Sequence, residues 1–143
     1  MDPREFYTLA SELVTGGRAS EIRTAISRAY YAAHNVGAEI LSEMGFRISK
    51  GSACHADVWN RLRNSSDLDV SKVGIQLAEL HSKRILADYR LNRREVESRV
   101  TALALVETAR RMIKTLDECR SEPKRLQITK AVQEWESKTG QRS

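Results

Sequence analysis

Apolar residues recur along this chain at spacings of three and four, the period of an amphipathic helix. Phe6, Leu9, Ala10, Leu13 and Val14 mark a first helix, with Asp2 as its N-cap and Pro3 in the first turn. Gly16-Gly17 ends it. Ser20 reads as the next N-cap, and Glu21 is well placed in a first turn. The run from Glu21 to Met44 is the strongest helix, with Ile22, Ile26, Ala29, Ala33, Val36 and Ile40 on one stripe and Gly45 as the C′ residue. Phe46 to Ala53 holds Ser49, Gly51 and Ser52 and reads as a loop. Cys54 to Arg63 predicts a shorter helix, with Val58 and Leu62 four apart, broken by Asn64-Ser65-Ser66-Asp67. Asp69 is placed to cap a fourth helix running roughly from Val70 to Leu91. Asn92 and Glu95 stand at N-cap and N3 of a fifth, which carries Val96, Val100, Leu103, Val106, Ile113 and Leu116. Pro123 ends it or opens a new segment, and Ile128, Val132 and Trp135 give a last short amphipathic stretch.

No apolar–polar alternation lasts long enough to predict a strand. The expected fold is therefore all-α: an antiparallel bundle of about five helices over residues 1–120, with the second, fourth and fifth forming the core. A basic tail over residues 121–143 contains the short helix. The length, 143 residues, suits one domain with a single core, and two prolines and seven glycines interrupt it little.

Charge changes this picture at one end. Of the net +5, residues 120–143 carry six Lys/Arg against three Glu, while residues 1–119 carry eighteen against sixteen Asp/Glu. A basic tail can attract nucleic acid or an acidic partner, or can simply be solvated. Cys54 and Cys119 are far apart in sequence. There is no Cys-x-x-Cys pair and no Cys/His cluster, so a structural zinc site is not expected and free thiols are, with neither a metal nor a cofactor. The N-terminal residues lack a signal-peptide pattern, and no apolar run reaches membrane-spanning length. The expectation is a cytoplasmic protein without a membrane partner.

Two segments carry candidate chemistry. In Ser27-Arg28-Ala29-Tyr30-Tyr31-Ala32-Ala33-His34-Asn35, helical geometry puts Arg28, Tyr31 and Asn35 in one sector, with Ser27, Tyr31 and His34 overlapping it. Tyr30 turns instead toward the apolar stripe. In His81-Ser82-Lys83-Arg84-Ile85-Leu86-Ala87-Asp88-Tyr89, His81, Arg84 and Asp88 share a face, and Arg84 can pair with Asp88 four residues on. Arginine offers a fixed fork of donors to carboxylate or phosphate. Such a cluster reads either as a buried polar network that fixes packing or as a ligand or catalytic site. His55 reads as a surface or capping residue, and Trp59 and Trp135 as packing residues rather than base-stacking platforms.

The string Ala25-Ile26-Ser27-Arg28-Ala29-Tyr30-Tyr31-Ala32-Ala33 closely resembles the first long helix of a HEPN subfamily of small bacterial and archaeal proteins. Arg84-Ile85-Leu86-Ala87-Asp88-Tyr89 resembles that subfamily's second signature, an Arg followed shortly by Ala-Asp-Tyr. Order and spacing of the two also fit, and the similarity spans Arg4 to Cys119. The resemblance implies an antiparallel bundle that commonly forms a homodimer, here through a face of the second or fourth helix. Many HEPN proteins are metal-independent ribonucleases whose Arg-x4–6-His motif acts on the RNA phosphodiester. They occur in toxin–antitoxin pairs and other defence systems, often with a small nucleotidyltransferase as neutralising partner that can modify a tyrosine close to the motif.

This chain departs from the catalytic pattern. The motif histidine stands two residues before the tyrosine of the second signature, where this sequence has Ala87, and the matching arginine position is Ser82. Arg28 to His34 satisfies Arg-x5-His formally, but on the other helix, where the two side chains point about 120° apart. Two functions follow. One is a non-catalytic module binding RNA, a nucleotide or a protein partner through Arg28, Tyr31, Asn35, Arg84, Asp88 and Tyr89. The other is a metal-independent endoribonuclease toxin using Arg28 with His34, or His81 with Arg84.

Overall fold

The computed structural model describes residues 1–140; positions 141–143 of the expected tail segment lie outside the described residues. It contains α1 (Arg4–Leu13), α2 (Ala19–Glu43), α3 (Cys54–Arg63), α4 (Leu68–Tyr89), α5 (Arg99–Glu118) and α6 (Lys124–Thr139), and no strand among the described residues. Short 3-10 turns at Gly51–Ala53 and Arg94–Glu97 lead into α3 and α5.

Several helix starts differ from the expectation by a residue or more. At α2 the N-cap is Arg18 rather than Ser20, and Glu21 reaches back to accept from the Arg18 amide at 3.1 Å. At α4 the cap is Asp67, which accepts from the Val70 amide at 3.0 Å, so Asp69 already lies inside the first turn. At α5 Asn92 does not cap. Arg94–Glu97 tightens into the 3-10 turn, and Ser98 caps the helix by accepting from the Thr101 amide at 3.3 Å. Asp67 and Ser98 have side-chain oxygens that accept from the helix start, whereas at Arg18 it is the Glu21 carboxylate that supplies the capping bond. Gly45 has φ 97°, the left-handed conformation that closes a helix and that other residues adopt only with strain.

The centre of the molecule is α2. It packs against α1, α4 and α5 on three sides, and α3 rests mainly on α4. This revises the expected core of second, fourth and fifth helices: α1 packs on α2 as fully as α5 does, while α4 and α5 touch little. Ala25, Ala29, Ala32 and Ala33 are fully buried, and their small side chains let neighbouring helices approach on several sides. On its remaining side α2 exposes Thr24, Glu39 and Ser42, and α4 exposes Lys72, Ile75, Glu79 and Ser82.

Three contacts fix the elements that carry the site. Gly74 of α4 lies under α3, so close that a Cβ there would stand 2.6 Å from the Arg63 amide nitrogen and 2.8 Å from the Trp59 carbonyl oxygen. Arg23 of α2, buried, donates to the carbonyls of Leu86, Ala87, Arg90, Leu91 and Arg93 and to Glu97 at 2.8 Å. It satisfies the orphan acceptors at the end of α4 and clamps that end to α2. Finally, α6 docks on α3: Arg61 donates to Glu136 at 3.0 Å, and Ile128 and Val132 are buried. The helical part of the basic tail is thus packed on the body, with Lys124 reaching Asp67 at 3.7 Å. None of these helices is long and apolar enough to cross a membrane.

Candidate functional site

The chain has three histidines, each on a different helix, and the fold brings all three together. His34 of α2 and His55 of α3 have ring centroids 5.0 Å apart, and His55 and His81 of α4 are 4.6 Å apart. Tyr30 stands at their centre, fully buried, with its ring 5.2 to 5.6 Å from each imidazole. Its hydroxyl lies 2.5 Å from His55 Nδ1 and 3.4 Å from His34 Nδ1. A single O–H can donate to only one of these nitrogens, so the other must carry its own proton or remain unpaired.

Beside the histidines lies a second network. Arg84 of α4, 8% exposed, donates to the Tyr31 hydroxyl at 2.5 Å, and its guanidinium lies between the rings of Tyr31 and Tyr89, at 5.0 and 5.6 Å. Its Nε is 3.0 Å from an Asp88 carboxylate oxygen, close enough for an ion pair but too far off line for a hydrogen bond. Asp88 also accepts from the Ser27 hydroxyl at 3.0 Å, and Ser27 in turn accepts from Arg28 at 3.3 Å. Arg28 lies over the Tyr31 ring at 4.9 Å and over Phe6 of α1 at 5.0 Å. Two guanidiniums and one carboxylate therefore converge on Tyr31, leaving a local excess of positive charge.

The two networks meet in a cleft of about 410 Å³ lined by residues including His55, Trp59, His81, Arg84 and Tyr89. Burial keeps the imidazoles neutral. It pushes His34 down to about 4, reinforced by the charges of His55, His81 and Arg84. His55 and His81 are also lowered by burial, with Arg84 adding to both and His55 adding to His81. The Tyr30 hydroxyl is pushed well above its ordinary value, chiefly by burial, so it remains a neutral hydroxyl.

Of the residues singled out from sequence, Arg28, Tyr31, Arg84, Asp88 and Tyr89 come together between α2 and α4. Of these, Arg84 and Tyr89 line the cleft, and His81 lines it with them. His34 does not join Arg28: α2 is unbroken, Arg28 stacks toward α1, and His34 faces α3. Asn35 lies apart as well. Its amide donates to the Tyr31 carbonyl one turn back at 2.7 Å, and it borders a different groove with Phe6 and Glu39.

His55 and Tyr30 were missed. Tyr30 is buried as expected, but its hydroxyl serves the histidines rather than the apolar stripe. His55 is a member of the cluster and not a surface cap. The available signal was His55 and Trp59 standing four apart on one face of α3, with Trp59 now against His81 at 5.2 Å. The expectation of no Cys/His cluster also fails in space. One ligand atom each from His34, Cys54 and His55 lie within 4.8 Å of one another. Motif spacing detects ligands on one segment, whereas these come from two helices.

Comparison with protein-family models, with curated proteins and with solved structures found no match in any of the three.

Proposed function

We propose that this chain is a HEPN-type module that binds RNA or a nucleotide at the cleft around Arg84, without the catalytic branch's Arg-x4–6-His pair in its usual place. The observation that supports this reading is the setting of Arg84. A buried guanidinium, its plane bracketed by two tyrosines and backed by a second arginine, lines a cleft with Trp59, Tyr89 and two neutral imidazoles. Arginine is suited to phosphate, and aromatic faces to bases. Asp88 opposes an incoming phosphate, but it is shared with Ser27 and outnumbered by Arg28 and Arg84. The test is fluorescence anisotropy with a labelled single-stranded RNA and with a mononucleotide. Arg84→Gln should weaken binding by about tenfold or more, the size of one lost charge-assisted hydrogen bond. Arg94→Gln, at an exposed arginine, should change it little. Equal affinities for the two variants would refute the reading. A nucleotidyltransferase partner, which the resemblance implies, would find Tyr89 accessible at 64% exposure. A homodimer would use a face of α2 or α4.

A second reading is favoured by one observation: His55 and His81 sit 4.6 Å apart beside Arg84. Two imidazoles can divide acid and base roles in RNA cleavage, one taking the 2′-hydroxyl proton and the other protonating the leaving oxygen, with Arg84 stabilising the phosphorane. Because both are held below the usual histidine range, the base is plentiful at neutral pH and the acid scarce. Cleavage in chelator should therefore increase as pH falls from 8 toward 6 and be abolished in His81→Ala. A chelator-insensitive cleavage that survives this substitution would eliminate the second reading.

A further inference from the structure

We propose that His34, Cys54 and His55 form a site for a borderline-soft divalent cation, of which Zn²⁺ is the natural occupant and Co²⁺ the spectroscopic substitute. The proposal does not depend on whether the cleft binds RNA. Its basis is the donor set and its placement. Thiolate and imidazole together are the ligands that Zn²⁺ takes, and alkaline-earth ions, which demand oxygen, would find none here. Tetrahedral zinc bonds of about 2.0 to 2.3 Å place donor atoms about 3.3 to 3.8 Å apart. Cys54 Sγ and His34 Nε2 already stand 3.8 Å apart, and the full set lies within 4.8 Å. Small side-chain rotations close the remainder, because Cys54 and His55 sit at the very start of α3, next to the 3-10 turn.

The surroundings are also those of a prepared site. The Tyr30 hydroxyl lies 3.4 Å from Nδ1 of His34, on the far side of the ring from the Nε2 that faces Cys54, and so holds that ring from behind, as an outer-shell group does for metal-binding imidazoles; it also lies 2.5 Å from His55 Nδ1. Cys54 loses its proton to solvent on binding, and a divalent cation supplies that driving force. Arg84 works against a cation here, yet its charge is partly offset by Asp88, and the Cys54 thiolate cancels one charge of the metal. Three protein ligands leave a fourth position for water or another ligand, the arrangement of a reactive rather than a purely structural zinc.

The experiment uses the full chain, reduced and stripped with chelator. One equivalent of Co²⁺ should give a thiolate-to-cobalt charge-transfer band in the near ultraviolet and tetrahedral d–d bands in the visible, both displaced by Zn²⁺. The bands should persist in Cys119→Ser and disappear in Cys54→Ser and His34→Gln. No band in the parent protein, or an unchanged band in Cys54→Ser, overturns the proposal. A second measurement on the parent protein avoids dependence on variant folding. One equivalent of Zn²⁺ should slow alkylation of Cys54, read peptide by peptide by mass spectrometry, by about tenfold or more, the protection left when most of the thiol is metal-bound at any moment. An unaltered Cys54 rate would likewise overturn it.

Discussion

Helix α2 meets two different surroundings. The stripe of Ile22, Ala29, Ala33, Val36 and Ile40 enters the apolar core shared with α5, where Val106, Met112 and Leu116 are buried. About a third of a turn away, Arg23, Ser27, Tyr30 and His34 face α3 and α4. The first side needs only shape: small residues let helices approach, and branched ones fill the space. The second side buries imidazoles, hydroxyls and guanidiniums, groups that cost free energy unless each finds a partner. Most find partners, Arg84 Nε excepted, but in a chain spanning three helices rather than in isolated pairs. A helix that needed only to be held in place would be served as well by continuing the apolar stripe. If the proposed function holds, the α5 side serves stability and the α3–α4 side recognition, and experiments can separate the two.

The largest effect is expected on the apolar side. Leu116→Ala removes a side chain that is 1% exposed and should cost about 2 to 5 kcal/mol in urea unfolding. In the fraction that remains folded, RNA affinity and the cobalt spectrum should be those of the parent. If both fell in proportion to stability, the division between the two sides would not hold.

The two sides also differed in how legible they were. The apolar side could be read from periodicity best in α2, whose stripe of Ile22, Ile26, Ala29, Ala33, Val36 and Ile40 is buried throughout, and less well in α1 and α5, where Leu9, Val100 and Leu103 of the expected stripes are exposed. Helix α3 was located to the residue, because Gly51 and the Asn64–Asp67 breaker bracket it. Cap choice was less legible, as at Asp67 over Asp69, because neighbouring candidates differ only in which amide the fold presents to them. On the polar side, contacts within one helix could be foreseen: Arg84 with Asp88 is an i,i+4 pair. The histidine cluster could not. It depends on how α3 crosses α4, and that crossing is set by a contact of Gly74 with the α3 backbone which no one-dimensional pattern encodes.

Acidification should distinguish the sides next. His34 titrates at about 4 when folded and near 6.5 when unfolded, and His55 and His81 are lowered too. Between those values the unfolded chain binds more protons, so the histidines' contribution is fully present above pH 6.5 and is lost as pH falls toward 4. The groups facing His34 (Tyr30, Cys54, His55, His81 and Arg84) provide no carboxylate to reverse the sign. In chelator, one such histidine gives a slope of up to about 1.4 kcal/mol per pH unit, and roughly 2 kcal/mol between pH 6.5 and 5. His34→Gln should flatten the curve of stability against pH, while Leu116→Ala should lower it without changing its slope. A parent protein equally stable at pH 7 and pH 5 would contradict the burial of these rings.

The smallest effect compares the same residue type on both sides. Cys119 is buried under α5, donates to the Thr115 carbonyl at 3.2 Å, and is pushed up to about 11 by burial. Cys54 is half-buried beside His34 and is raised too, by burial and then by Asp57. Both are thiols at neutral pH, so access rather than thiolate content sets their relative reactivity. Without metal, Cys54 should be alkylated in the native state, and Cys119 only when the core opens, at a rate that increases in urea along with unfolding. Substitution should show the same order. In Cys119→Ser the hydroxyl can repeat the bond to Thr115, but it places a polar atom in an apolar setting, a loss of about 1 kcal/mol. Cys54→Ser meets polar neighbours and should stay within about 0.5 kcal/mol of the parent. Reversal of that order, with Cys54→Ser the more destabilised, would mean that the histidine cluster bears on folding as much as the apolar core does, and that recognition is not what distinguishes it.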